Sequence, residues 1–170
     1  MVSLEEWITC ISVDDTEARD RIFAEADLQW PHREKRSKGI KSIFHAIEFG
    51  DNYLLAIRSG KGHLMGALSY NVDTSTGEAR IFVHQVGVSL RNHGFGTKLM
   101  RALMKIAAEL HYGIFLEALP DSEQFFRKFG MHESRDTEVG HLEFTPEEVQ
   151  RLAGSTKGAA ALQPERGKWR

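Results

Sequence analysis

Val86-Gly87-Val88-Ser89-Leu90-Arg91-Asn92-His93-Gly94-Phe95-Gly96 reads as a strand running out into a glycine loop, and Thr97 to Leu110 follows it as a helix. In that helix Leu99, Met100, Leu103, Ile106, Ala107 and Leu110 recur at the spacing that places side chains on one face. A strand, a glycine loop and a helix together can make an anion site. The helix N-terminus offers unpaired N–H groups and the positive end of its dipole. Gly94 and Gly96 permit unusual backbone angles and close approach of a phosphate. Other glycine loops fit less well. The dinucleotide fingerprint needs a third glycine and an early strand in a parallel repeat, and a P-loop needs Gly-Lys-Ser/Thr, which does not follow here.

Upstream of the loop the pattern is an antiparallel meander. Tyr53 to Arg58 and Leu64 to Val72 flank the hairpin signature Ser59-Gly60-Lys61-Gly62-His63. Asp73-Thr74-Ser75-Thr76-Gly77 then turns the chain into Ala79 to Val88. Earlier still, Trp7 to Val13 reads as a strand. Asp14-Asp15-Thr16 offers N-cap chemistry for a helix over about Glu17 to Leu28, with Ala18, Ile22, Phe23 and Ala26 on one face, ended by Trp30-Pro31. His32 to Lys41 is basic, carrying Arg33, Lys35, Arg36, Lys38 and Lys41. It reads as a solvated loop or helix face; the sharper alternative is a contact surface for an acidic substrate or for cofactor phosphates.

Downstream, His111-Tyr112-Gly113 closes the central helix, glycine being suited to the left-handed position after a helix end. Ile114 to Leu119 is a short buried strand. Pro120-Asp121-Ser122 opens a helix over Glu123 to Phe129, stopped by Gly130, and His141 to Phe144 forms a last strand. Thr145-Pro146-Glu147-Glu148 caps a final helix to Leu152. The expected organisation is one domain over 1–153 and a flexible tail over 154–170, ending in Arg166-Gly167-Lys168-Trp169-Arg170.

Composition narrows the class. The 170 residues suffice for one ordinary domain, and 41% hydrophobic with 27% charged residues is the balance of a soluble globular chain. A net charge of −2 exerts no global pull toward nucleic acid or membrane. The single cysteine, Cys10, excludes an intrachain disulfide framework and reads as a buried structural thiol. The acidic start of the chain lacks signal-peptide features and no apolar run reaches the length of a membrane span, so a cytoplasmic protein is expected. The eight histidines show no paired ligand spacing. No metal is expected, and His111, His132 and His141 read as surface residues.

The loop and its surroundings resemble the GNAT family of N-acetyltransferases. The family signature Gln/Arg-x-x-Gly-x-Gly/Ala, preceded by a valine-bearing strand, is matched by Val86 to Gly96, with Leu99 and Leu103 on the helix behind it. A second marker, aromatic-Tyr-Glu-Lys-x-Gly-Phe, has an altered counterpart in Phe125-Phe126-Arg127-Lys128-Phe129-Gly130-Met131. The order of elements agrees from about Trp7 to Leu152.

The resemblance implies an α/β (α+β) GNAT fold, a mixed, largely antiparallel sheet of about six or seven strands with flanking helices. It also implies acetyl-CoA as co-substrate. Val86, Gly87 and Val88 would line the pantetheine arm on a strand splayed from its neighbour. Arg91, Asn92, His93, Gly94, Phe95, Gly96 and Thr97 would hold the pyrophosphate. The backbone N–H near Val86 would stabilise a developing oxyanion. Phe126 would border the acetyl or amine pocket, and Trp30 the substrate mouth.

The sequence departs from the family in its proton relay. Phe126 stands where many members carry an acidic tyrosine, and Leu116-Glu117-Ala118-Leu119-Pro120 lacks the usual asparagine. Arg80 and Phe82 occupy positions where many members place a fourth-strand acid. For the base, Glu117 is the first candidate, in a Leu-Glu-small context resembling ribosomal-protein N-terminal acetyltransferases; otherwise it is a solvated strand-end glutamate. His84 is the second, because alternation puts its side chain on the same strand face as Val86; otherwise it is a half-buried structural histidine. Glu78 ranks lower.

The leading expectation is transfer of acetyl from acetyl-CoA to a primary amine of a small molecule or peptide. A toxin-type aminoacyl-tRNA acetyltransferase is the first alternative, motivated by Ala118 to Phe126 and by the basic stretch Arg33 to Lys41. A non-catalytic coenzyme A-binding regulatory domain is the other. Nucleic acid is expected as a partner only in the aminoacyl-tRNA case, membrane in none, and the resemblance allows a homodimer.

Overall fold

The computed structural model describes residues 7–75, 77–135 and 140–155. The strands are β1 (Trp7–Ile11), β2 (Tyr53–Arg58), β3 (Leu64–Asp73), β4 (Arg80–Val88), β5 (Gly113–Glu117), β6 (His132–Glu133) and β7 (His141–Phe144). The helices are α1 (Thr16–Gln29), α2 (Lys38–Glu48), α3 (Phe95–Leu110), α4 (Glu123–Lys128) and α5 (Pro146–Ser155). The strands make one sheet in the order β1-β2-β3-β4-β5-β7-β6. Only β4 and β5 run parallel; the other neighbouring pairs are antiparallel. This is the mixed, largely antiparallel α/β sheet that the sequence implies.

The helices divide between the two sheet faces by the period-2 alternation of the strands. On one face Leu99, Met100, Leu103 and Ala107 of α3 bury Ile81 and Val83 of β4, Ile114 and Leu116 of β5, and Leu142 and Phe144 of β7. On the other, Ile22 and Ala26 of α1 and Ile43, Phe44 and Ile47 of α2 cover Leu54, Ala56 and Ala67.

The basic stretch is largely solvated as loop and helix face, with Arg33, Lys35, Lys38 and Lys41 exposed, and Arg36 is the exception. A 3₁₀ turn over Arg33–Lys35 leads into α2, whose N-cap Ser37 accepts a hydrogen bond from the Ile40 N–H at 3.3 Å. Arg36 turns inward: its guanidinium lies 3.7 Å from the Phe44 ring centroid, donates to the Trp30 carbonyl and pairs with Asp27 at 2.8 Å. At the other end of α2, the buried Arg19 of α1 donates to the carbonyls of Ile47 (3.4 Å), Phe49 and Asn52. It thereby satisfies carbonyls that a helix end leaves without partners.

The end of α3 also corrects an expectation. His111, not Gly113, adopts the left-handed conformation there, with φ 58°. Gly113 opens β5 instead, where a Cβ would stand 2.6 Å from the Phe144 carbonyl oxygen, so close strand approach explains that glycine. His111 is exposed as expected and the His132 side chain is 43% exposed, while His141 is more deeply buried. His132 binds the Glu148 carboxylate at 2.8 Å, and its ring is raised above the usual histidine range by its bond to the Glu133 backbone and by Glu148. The helix expected to end at Leu152 continues to Ser155, and the tail over 156–170 lies outside the described residues. Among the described residues no helix is long and apolar enough to cross a membrane.

Candidate active site

A β-bulge in β4 builds the site. Ser69 faces Gln85 and Tyr70 faces Val83, so His84 is the extra residue. On its other side β4 pairs with β5 only from Arg80–Gly113 to Val83–Leu116. Beyond that point β5 and the chain after it belong to β7: Glu117 pairs with His141, and the Ala118 N–H donates to the Gly140 carbonyl at 2.8 Å. From His84 to Val88, β4 therefore has an open edge toward β5.

A cavity of about 540 Å³ fills this gap. Its walls are His84, Val86 and Val88 of β4, Leu90 to Asn92 and Gly94 to Thr97 of the following loop and helix start, Leu116 and Glu117 of β5, and Phe125, Phe126 and Lys128 around α4. One end is the N-terminus of α3. Gly94 takes φ 81° as N-cap, and the first intrahelical bond is Lys98 N–H to the Gly94 carbonyl at 3.0 Å. The N–H groups of Phe95, Gly96 and Thr97 thus precede the helical ladder. A Cβ on Gly96 would come within 3.2 Å of the Phe125 ring, which explains glycine there.

Most residues expected to form a site share this cavity: His84, Val86, Val88, Arg91, Asn92, Gly94, Phe95, Gly96, Thr97, Glu117 and Phe126. Gly87 and His93 are not in its walls. Gly87 faces α2, whose backbone would lie 2.4 Å (Ile43 N) from a Cβ, and His93 is exposed with Nδ1 2.7 Å from the Arg91 carbonyl oxygen. Nor do His84 and Val86 share a strand face. The bulge breaks the alternation, so Val86 packs with the α3 cluster while His84 stacks on Phe49 (centroids 5.3 Å) and meets Phe82 edge-on at 4.6 Å.

The charged groups differ in setting. Burial lowers the His84 imidazole below the usual histidine range, and its Nε2 is buried with no partner among the described residues. The Glu117 side chain is 68% exposed and stands 3.9 Å from His141 Nε2. Lys38 at the start of α2 ion-pairs with Asp121 across the mouth, holding that carboxyl below its usual range with help from Arg91. Asp121, Lys128 and Gln85 join the wall without being expected there and owe their place to the gap, while Phe49 stands outside the wall against His84. Trp30 packs on Phe44 and is not in the cavity wall.

A family model described as acetyltransferase (GNAT) family matches residues 16–131. An aminoglycoside acetyltransferase from an uncultured soil metagenomic sample superposes with TM-score 0.52 at 19% identity, over 78% of this chain and 94% of that one. A mutant of the toxin AtaT, bound to the C-terminus of the antitoxin AtaR and acetyl-CoA, gives 0.54 at 14% identity over 89% and 99%. The KacTA–DNA complex gives 0.57 at 15% over 88% and 99%. At these identities the likeness is one of fold. No curated protein matches the sequence.

Proposed function

The chain belongs to the GNAT acetyltransferase family, and from that premise we propose that it moves an acetyl group from acetyl-CoA to a primary amine of a small molecule or peptide. The observation that carries this reading is the open edge of β4 from His84 to Val88, leading to the glycine-capped N-terminus of α3. Its residues fit the co-substrate. The N–H groups of Phe95, Gly96 and Thr97, with the helix dipole behind them, would hold the pyrophosphate. The edge of Val86 and Val88 would pair with the amide-bearing arm as a further strand would.

Bound acetyl-CoA supplies an activated acyl group, so the protein's task is to orient an amine and remove a proton. Glu117, in the wall and open to water, is suited to attract an ammonium group and accept its proton. His84 is the second candidate: burial favours its neutral form, and its Nε2 has no hydrogen-bond partner among the described residues. Phe126 is buried and has no proton to give, so it serves as apolar wall.

The aminoacyl-tRNA reading is weaker, since Arg36 and Lys38 of the basic stretch are engaged within the fold. Release of free coenzyme A thiol across a panel of amines and peptides tests the proposal. We expect turnover with at least one acceptor, and a Glu117→Gln variant with lower kcat and unchanged acetyl-CoA affinity. Binding without turnover on every acceptor would favour the regulatory-domain reading instead.

A further inference from the structure

A row of rings crosses the sheet beside the cavity. Phe49 stacks on His84, His84 meets Phe82 edge-on, Phe82 leans on Phe115 at 5.5 Å, and Phe115 meets His141 edge-on at 5.1 Å. Alternation accounts for it: Ile81, Val83, Ile114, Leu116 and Leu142 turn toward α3, so their strand neighbours turn the other way. The row meets the cavity wall at His84, and again at Glu117 through its pair with His141. Phe49, at the outer end, is 52% exposed, although the Arg19 bond to its carbonyl fixes its backbone. At the inner side Arg80 lies over the Phe115 ring at 4.2 Å and closes the row there.

The charges beside the row are few. In the cavity wall Arg91 and Lys128 face Glu117 and Asp121, and Asp121 is already paired with Lys38. That leaves Glu117, whose contact with His141 is a longer 3.9 Å, as the carboxylate to meet an incoming ammonium. A polyamine or aminoglycoside would bring further positive charges, and the wall's other carboxylate, Asp121, is already taken by Lys38. A single amine attached to a flat apolar body suits both features. His84 and Glu117 both line the cavity, so an amine tethered to a ring beside His84 can reach Glu117 across it.

We infer that the acceptor is an arylalkylamine whose ring packs against Phe49 and His84 while its ammonium group meets Glu117. This rests on the reading of the cavity as the acetyl-CoA site. The test compares phenethylamine, spermidine and kanamycin by coenzyme A release, with acetyl-CoA binding followed separately by calorimetry. Phenethylamine should exceed both others in kcat/KM by about tenfold or more, the scale of one good aromatic contact. Phe49→Ala should raise KM for phenethylamine about tenfold and Phe49→Tyr should restore it, with the acetyl-CoA dissociation constant the same in all three proteins.

Preference for spermidine or kanamycin would overturn the inference, as would acetyl-CoA binding with none of these amines acetylated. So would a Phe49→Ala variant that turns a dimer into a monomer and leaves amine preference unchanged, because the row would then be an interface between copies. Failure to bind acetyl-CoA would instead sink the reading of the cavity. In that case a phenethylamine titration followed by the His84 ring resonances decides the row alone: a saturable shift supports it, and no shift overturns it.

Discussion

Replacing Gly87 by alanine probes the contact that seats α2 on the sheet. A Cβ there would lie 2.4 Å from Ile43 N and 2.6 Å from the Ser42 carbonyl carbon, where ordinary contact begins near 3.4 Å. The obstacle is helix backbone, not the tip of a flexible side chain, so relief needs roughly 1 Å of separation between α2 and β4. Ile43, Phe44, Ala46 and Ile47, all buried, would lose close packing as the gap opens. Overpacking of this kind costs about 1–3 kcal/mol. In urea, with a slope of about 2 kcal/mol per M, the unfolding midpoint should fall by about 1 M. Gly39→Ala presses on the same seam, since its Cβ would stand 2.1 Å from the Val88 carbonyl oxygen. One separation relieves both clashes, so the double variant should lose less than the sum of the single losses. A Gly87→Ala protein with the wild-type midpoint, or two losses that add in full, would refute this account of how α2 sits.

Gly94→Ala, with no atom within 4 Å of its Cβ, acts only through the left-handed φ of 81°; it should cost about 1 kcal/mol in urea and weaken acetyl-CoA binding by calorimetry. Arg19→Met removes the buried donor to the Ile47, Phe49 and Asn52 carbonyls and should cost about 2–4 kcal/mol by the same denaturation assay. Stability should also carry opposed histidine contributions. His84, lowered by burial, binds fewer protons folded than unfolded below about pH 6.5, so its contribution is lost as pH falls through that range. His132, raised, contributes most below about pH 6.5 and loses that as pH rises through its folded value. His84→Phe should therefore soften the acid loss and His132→Gln should deepen it, measured as urea midpoints between about pH 5 and 8.

How far the sequence could be read depended on whether the signal was local. The hairpin of β2 and β3, the helix after Gly94 and the strand His141–Phe144 follow from turn residues and periodicity close to them in the chain. Helix α2 carried a readable pattern, since Ile40, Ile43, Phe44 and Ile47 share a helical face behind the N-cap Ser37. The neighbouring cations and Gly39 obscured it, and both have tertiary explanations: Arg36 stacks on Phe44, and Gly39 touches the Val88 carbonyl. The glycine loop was legible because Gly94 is required by its own left-handed backbone and both glycines stand in a recognisable pattern, although Gly96 also answers to the distant Phe125 ring. His84 was placed on the wrong strand face because a bulge is an event of pairing with β3, invisible in the alternation of β4 alone. Gly87 carries, besides its expected place at the cofactor, a constraint no local pattern shows: a Cβ there would meet the backbone of a helix far away in the sequence.

The central claim is that the open edge of β4 and the N-terminus of α3 form one acetyl-CoA site. The most direct measurement is an acetyl-CoA titration followed by the backbone amide resonances. Saturable shifts concentrated at Val86, Val88 and Phe95 to Thr97, with little change in β1 and β2, are the predicted result. No shifts, or shifts centred on another part of the sheet, would contradict it.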